Sequence, residues 1–335
     1  MTPRIRQEDI RDSIISSVNV TLQQVTIAKA FILKNFTEDT QAVIRNLVSA
    51  MKFSYPDKID LNHNSKSENQ TKIKNAVESL SWIRAGCEAV WSLISSGLLI
   101  PQGNTSISPI PHLQYSIQDS SGGESSGWDL NCLKIEVPQK ILLPLSMADQ
   151  NRQLLTDPDL YLHSIDIPGL HQQVGTSLRE AVRCFRNDLF VACLAMLGRA
   201  SEGAWIELGL GLVSTVPSNS PLQPDKIRDN LESPFIGIGK KIKDVIELYE
   251  HKEVFGVIQK KSKVKVQDLK NVVIWADSVR ESRNSIHYGV ESALPNNYEK
   301  VAALLIAAVS HFRVIYRIFA ETEQRAAIDA AAQRE

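Results

Sequence analysis

The stretch Trp275-Ala-Asp-Ser-Val-Arg-Glu-Ser-Arg-Asn-Ser-Ile-His-Tyr-Gly289 gathers residue types that handle phosphate esters. On a helix at 100° per residue, Arg283 lies about −60°, Asn284 about +40° and His287 about −20° from Arg280. Two guanidiniums, an amide and an imidazole therefore share one face. RNA is cleaved without a metal when its 2′-OH meets a base, its leaving 5′-oxygen an acid, and the phosphorane a positive environment. His287 can transfer protons near neutral pH. Arg280 and Arg283 stay charged and fork onto phosphate oxygens. Asn284 can hold an imidazole tautomer or a phosphate oxygen. These four are the candidate catalytic residues. No Cys/His set or carboxylate cluster accompanies them, so the expected chemistry uses no metal and no other cofactor.

The helix that carries them is predicted from Val266 to His287, with Leu269, Val272, Val273 and Ala276 as its apolar stripe and Gly289 as its stop. The rest of the second half also reads as helical. Helices are expected over Gly175–Asn187, Asp188–Gly209, Lys240–Ile258 and Tyr298–Phe319. The one starting at Asp188 is apolar on almost every side, which belongs in the middle of a four-to-five-helix bundle. Arg199 and Glu202 are the only charges within Leu189–Ala204, and are read as a supporting pair that orients the motif helix. Lys260, Lys261, Lys263 and Lys265 form a basic loop just before that helix, the expected RNA-binding run. His311, in an apolar helix, reads as a core or dimer-interface residue.

The first half has helical spacing through Ile10, Ile14 and Ile15, then over Thr21–Phe36, Thr37–Met51 and Thr71–Ser96, with Gly97 as a C-cap. After it the period changes to two. His112–Ile117 and Leu133–Val137 are expected to pair as a β-hairpin, with Gly/Ser-rich Gln118–Trp128 as an unpacked tip. A helix followed by such a hairpin resembles a small winged helix-turn-helix domain, and Cys87–Gln102 (CEAVWSLISSGLLIPQ) is similar to its helix-into-wing element. Domains of that type bind DNA or mediate protein contacts. A DNA-reading helix exposes Arg, Lys, Asn or Gln near its start, whereas Arg84 is followed by Glu88 and apolar residues. That favours protein contacts. Asn62–Gln70 reads as a loop, and Asp149–Pro168, with Pro158 and Pro168, as a linker. The expected architecture is therefore mainly α, with a helical, winged-helix-like domain over 1–150 and a helical bundle over 168–325.

Composition sets the outer limits. The 335 residues are 43% hydrophobic and 22% charged, which excludes a wholly disordered chain. A net charge of −1 means that any nucleic-acid binding must come from a local patch. Cys87, Cys132, Cys184 and Cys193 are scattered without CxxC spacing, so neither a disulfide framework nor a zinc site is expected. Apolar runs such as Val301–Val309 read as too short for a bilayer, and MTPRIRQEDIRD lacks the core of a signal peptide. A cytoplasmic protein with no membrane partner is the expectation.

Arg280-Glu-Ser-Arg-Asn-Ser-Ile-His287 resembles the Rx4–6H motif of the HEPN superfamily, with six residues between Arg280 and His287. Leu178–Trp205 is similar to the helical hairpin that opens such domains, and the resemblance covers roughly Leu170–Ala320. It implies a helical domain that homodimerises with two motifs face to face. It further implies a metal-independent endoribonuclease of a bacterial toxin or antiviral defence system, with RNA as substrate and a regulatory protein as possible partner. Arg280 and His287 take the catalytic places, and Asn284 a supporting one. The register stays open. Glu281 follows Arg280 where the family prefers a small polar residue, while Arg283 is followed by Asn284 but stands only three residues from His287. The superfamily also contains noncatalytic modules, so the alternative is an adaptor or a DNA-binding regulator.

Overall fold

A computed structural model describes residues 7–62, 66–119, 122–145, 150–217, 220, 222–284 and 295–332. The chain is mainly helical, with small sheets in its N-terminal half, and divides into two compact units, Met1–Gln153 and Leu154–Glu335.

The first unit opens with α1 (Gln7–Ser17), α2 (Leu22–Lys34) and α3 (Thr40–Ala50). Thr21 closes a capping box with Gln24, so α2 starts one residue after the expected Thr21, and the Asp39 carboxylate accepts from the Ala42 amide at 3.1 Å, so α3 starts three residues after the expected Thr37. After β1 (Lys58–Asn62), the long α4 (Lys66–Ser95) buries Leu80, Ile83, Cys87, Val90 and Leu93. Gly86 lets it approach α3, since an added Cβ would meet Ile44 at 3.2 Å. Gly97, at φ 74°, ends it with the Leu98 amide bonded to the Leu93 carbonyl at 2.9 Å. Lys66–Gln70, expected in a loop, form the first turn of α4.

The strands pair differently from the expected hairpin. β3 (Leu113–Asp119) pairs antiparallel with β4 (Gly122–Trp128) and parallel with β1, while β2 (Ile100–Ile107) pairs with β5 (Val137–Leu142). The Gly/Ser-rich stretch is thus a strand, not an unpacked tip. It lies at a sheet edge, where glycine costs least, and Trp128 anchors its register by stacking on Tyr115 at 4.3 Å. Leu133 leaves the expected strand because it is buried from a 3-10 turn, Asn131–Leu133.

α5 (Gln150–Thr156) crosses the boundary between the units. The second unit continues with α6 (Pro158–Ile165), α7 (Gln172–Arg186), α8 (Phe190–Ser214), α9 (Pro224–Glu232), α10 (Ile238–Glu250), α11 (Lys252–Ser262), α12 (Val266–Asn284) and α13 (Tyr298–Ala332). The expected linker therefore contains two helices. Pro158 starts α6 rather than breaking the chain, because Asp157 caps the helix and proline is favourable in a first turn. Tyr161 of α6 is buried and donates to the Leu305 carbonyl at 2.7 Å.

α8 occupies the centre, burying Leu194, Leu197, Ala204, Trp205, Leu208 and Leu212 among α7, α10, α12 and α13. The single helix expected over Lys240–Ile258 breaks at His251. Extending the stripe Ile242, Val245, Tyr249 at helical spacing lands on Lys252, Glu253 and Gly256, whereas the buried residue is Phe255. The chain turns to bury that ring. Tyr298–Gln324 is long and apolar enough to cross a membrane by length and composition, so the apolar segment is longer than Val301–Val309 suggests. Its Val301, Leu305, Ala308, Phe312 and Ile315 are buried in the core of this unit. All four cysteines are free, and burial pushes the Cys87 and Cys193 thiols up to about 12.

Candidate functional site

Three neighbours fix the motif helix. On α12, Leu269, Val272, Ala276 and Val279 are buried at alternating steps of three and four, and Trp275 donates to the Leu304 carbonyl of α13 at 3.1 Å. The next position of the series is Arg283. Its side chain therefore leaves toward α8, where its Cδ would stand 3.1 Å from a Cβ on Gly198 and its Nη1 pairs with Glu202 Oε1. Arg280, slightly off the stripe, meets α10 instead. A Cβ on Gly239 would come within 2.6 Å of Arg280 Nη1, and Arg280 Nη2 pairs with Asp277 Oδ1 at 3.0 Å.

Both arginines line one small cleft, with Ser201 and Glu202 from α8, Ile238 and Ile242 from α10, and Asp277 from α12 itself. Its interior of about 10 Å³ holds roughly one water, so any larger group can reach the guanidiniums only at the mouth. Each cation already faces one carboxylate. The Arg280 side chain is 39% exposed and that of Arg283 28%, and a guanidinium carries five donors. Arg280 is the more exposed of the two.

The other predicted residues divide. Asn284 ends α12 as it is described and is half-buried, while His287 lies outside the described residues. Glu202 pairs with Arg283 of α12. Arg199 does not form a buried pair with it; one turn earlier on α8, its side chain is exposed. Helix phase separates them, since Glu202 faces α12. Lys260 and Lys261 sit in the last turn of α11, Lys263 follows at φ 57°, and Lys265 precedes α12, all exposed. They stand at the start of α12, roughly 22 Å along the axis from Arg280 at 1.5 Å per residue. The basic run is therefore not beside the arginines.

Sequence reasoning missed four contributors. Asp277 was legible as an i,i+3 partner of Arg280. Gly198 and Gly239 were not, because their role is to let an arginine pass across another helix. Lys300, in the first turn of α13, bonds Asn296 Oδ1 at 3.0 Å, and Asn296 donates to the Ser282 carbonyl at 3.3 Å. Desolvation holds the Lys300 amine below its usual range. His311 packs half-buried against Trp275 at 5.1 Å, where burial keeps its imidazole below the usual range. Among the described residues no group of His, Cys, Asp and Glu is arranged to hold a metal ion.

Comparison with protein-family profiles, curated proteins and solved structures finds no match for this chain.

Proposed function

We propose that this chain is a metal-independent endoribonuclease of the HEPN type, the cytoplasmic effector of a bacterial toxin or antiviral defence system. The observation that carries the reading is the meeting of Arg280 and Arg283 in one cleft at the end of α12, within a motif that reaches His287. α7 and α8 supply the helical hairpin that Leu178–Trp205 suggested, within a helical unit like the bundle the resemblance implies. Arg280 holds the scissile phosphate, His287 moves the protons, and Asn284 supports either. The narrow cleft leaves the phosphate half-surrounded, and a second copy placing its own motif opposite would complete the site. RNA and a homodimer partner follow from this reading, as does a regulatory protein that masks the site. The DNA-binding alternative is weaker, because the part of α4 that follows Arg84 buries Cys87, Val90 and Leu93 instead of presenting polar side chains that read base edges.

The test is incubation of the purified protein with RNA in excess EDTA. Cleavage to 2′,3′-cyclic phosphate and 5′-OH ends is expected. Chelator-sensitive cleavage leaving 5′-phosphates overturns the mechanism, and binding without cutting assigns the chain to the noncatalytic modules. Gly239→Ala gives a finer probe. The clash falls on the end of a flexible side chain, so melting should barely change, while displacement of Arg280 should lower the cleavage rate roughly 10–100-fold.

A further inference from the structure

The first unit contains a cavity of about 390 Å³, within the size range of small-molecule sites. It lies between the turn Lys52–Pro56, the start of β1 and one face of α4. Its lining combines Phe53 and Tyr55 with Lys52, Lys58 and Lys72, and includes Asp60. Tyr55 is held in place in advance. Tyr55 donates to the Pro109 carbonyl, accepts from Gln41 at 3.3 Å, and has the Arg45 guanidinium 5.0 Å over its ring. Of the cations, Lys58 pairs with Asp60 at 2.8 Å, and Lys72 pairs with Glu68 at 2.6 Å while donating to the Asp60 carbonyl at 2.9 Å.

Lys52 is different. It takes φ 66° immediately after α3, with the Phe53 amide bonded back to the Val48 carbonyl at 3.2 Å. That is the helix-ending position where glycine is the usual residue, since a Cβ is strained there. Lys263 takes a similar φ after α11, so the backbone alone does not mark a site; what sets Lys52 apart is that it also lines the cavity. Its ammonium has no ion-pair or hydrogen-bond partner among the described residues.

We infer that this cavity binds a nucleotide, its base against Phe53 and Tyr55 and its phosphate among Lys52, Lys58 and Lys72. The inference does not rest on the ribonuclease reading. A nucleotide is available free or as the phosphorylated end of a strand, and the two sources share this chemistry. Isothermal titration of the full-length protein with AMP, UMP, 5′-phosphorylated tetradeoxyadenylate and inorganic phosphate tests it. At least one nucleotide probe should bind roughly tenfold or more tightly than inorganic phosphate, and the tighter of the free and strand forms identifies the source. Lys52→Gly and Lys72→Met should each weaken that probe about tenfold or more. Lys52→Gly should at the same time raise Tm by roughly 2–4 °C, because it relieves the backbone while removing the charge. Absence of heat with every nucleotide at millimolar concentration overturns the proposal. So does binding that both lysine variants leave unchanged, or inorganic phosphate binding as tightly as the nucleotides.

Discussion

Replacing Arg280 by alanine should lower RNA cleavage about 10²–10³-fold with little change in melting, the loss typical of removing a group that stabilises developing charge. Arg283→Ala should show the opposite pattern. Arg283 occupies the core-facing position of the α12 stripe, covers Gly198 and pairs with Glu202, so its removal strips packing from between two helices. The ion pair itself contributes little, because both side chains remain about one-third exposed, and the cost of about 1–2 kcal/mol should come mainly from the lost packing. Arg280 has the greater exposure. Arg280→Lys should also fail, since an ammonium cannot make the two parallel contacts of a guanidinium. Single-turnover rates and thermal melts on the same three variants separate the roles. A loss of activity at Arg283→Ala equal to that at Arg280→Ala, with melting unchanged, would make Arg283 the motif arginine.

The open register of the motif shows what a sequence can and cannot display. Angles around an ideal helix place Arg280, Arg283, Asn284 and His287 on one face, and the two described arginines do share a cleft. The same angles cannot say that Arg283 continues the series Leu269, Val272, Ala276, Val279 into contact with α8, because that depends on which helices flank α12. Glu202 was legible as an oddity, a charge in an apolar helix, but its partner was not. The Gly97 cap was easy to read, because it acts through bonds to residues within a few positions. Strand pairing was not. Tyr115 and Trp128 decide the register of β3 and β4 from thirteen positions apart, and the glycines around them carry no alternating pattern. Proline misled for a related reason. Pro158 breaks a helix that precedes it and begins one that follows, and only the burial of Tyr161 and Ile165 settles which applies.

The second large loss is expected at His287. If its imidazole exchanges protons with the 2′-OH and the leaving 5′-oxygen, His287→Ala should slow cleavage on the order of 10²–10⁴-fold, the usual worth of a positioned acid/base. RNA affinity should survive, because the Arg280 guanidinium proposed to hold the phosphate is untouched. The rate should follow pH through the range near neutrality where imidazole titrates, and His287→Ala should flatten that limb of the profile. Substituting a single 2′-deoxynucleotide at the cut position removes the nucleophile itself, and should abolish cleavage there while leaving binding intact. These two results are linked, because the proposed base acts on the hydroxyl that the deoxy substitution removes. A His287→Ala protein that still cleaves at the wild-type rate would place the base elsewhere in the molecule, and wild-type protein that cuts at the deoxy position would make water, not the 2′-OH, the nucleophile.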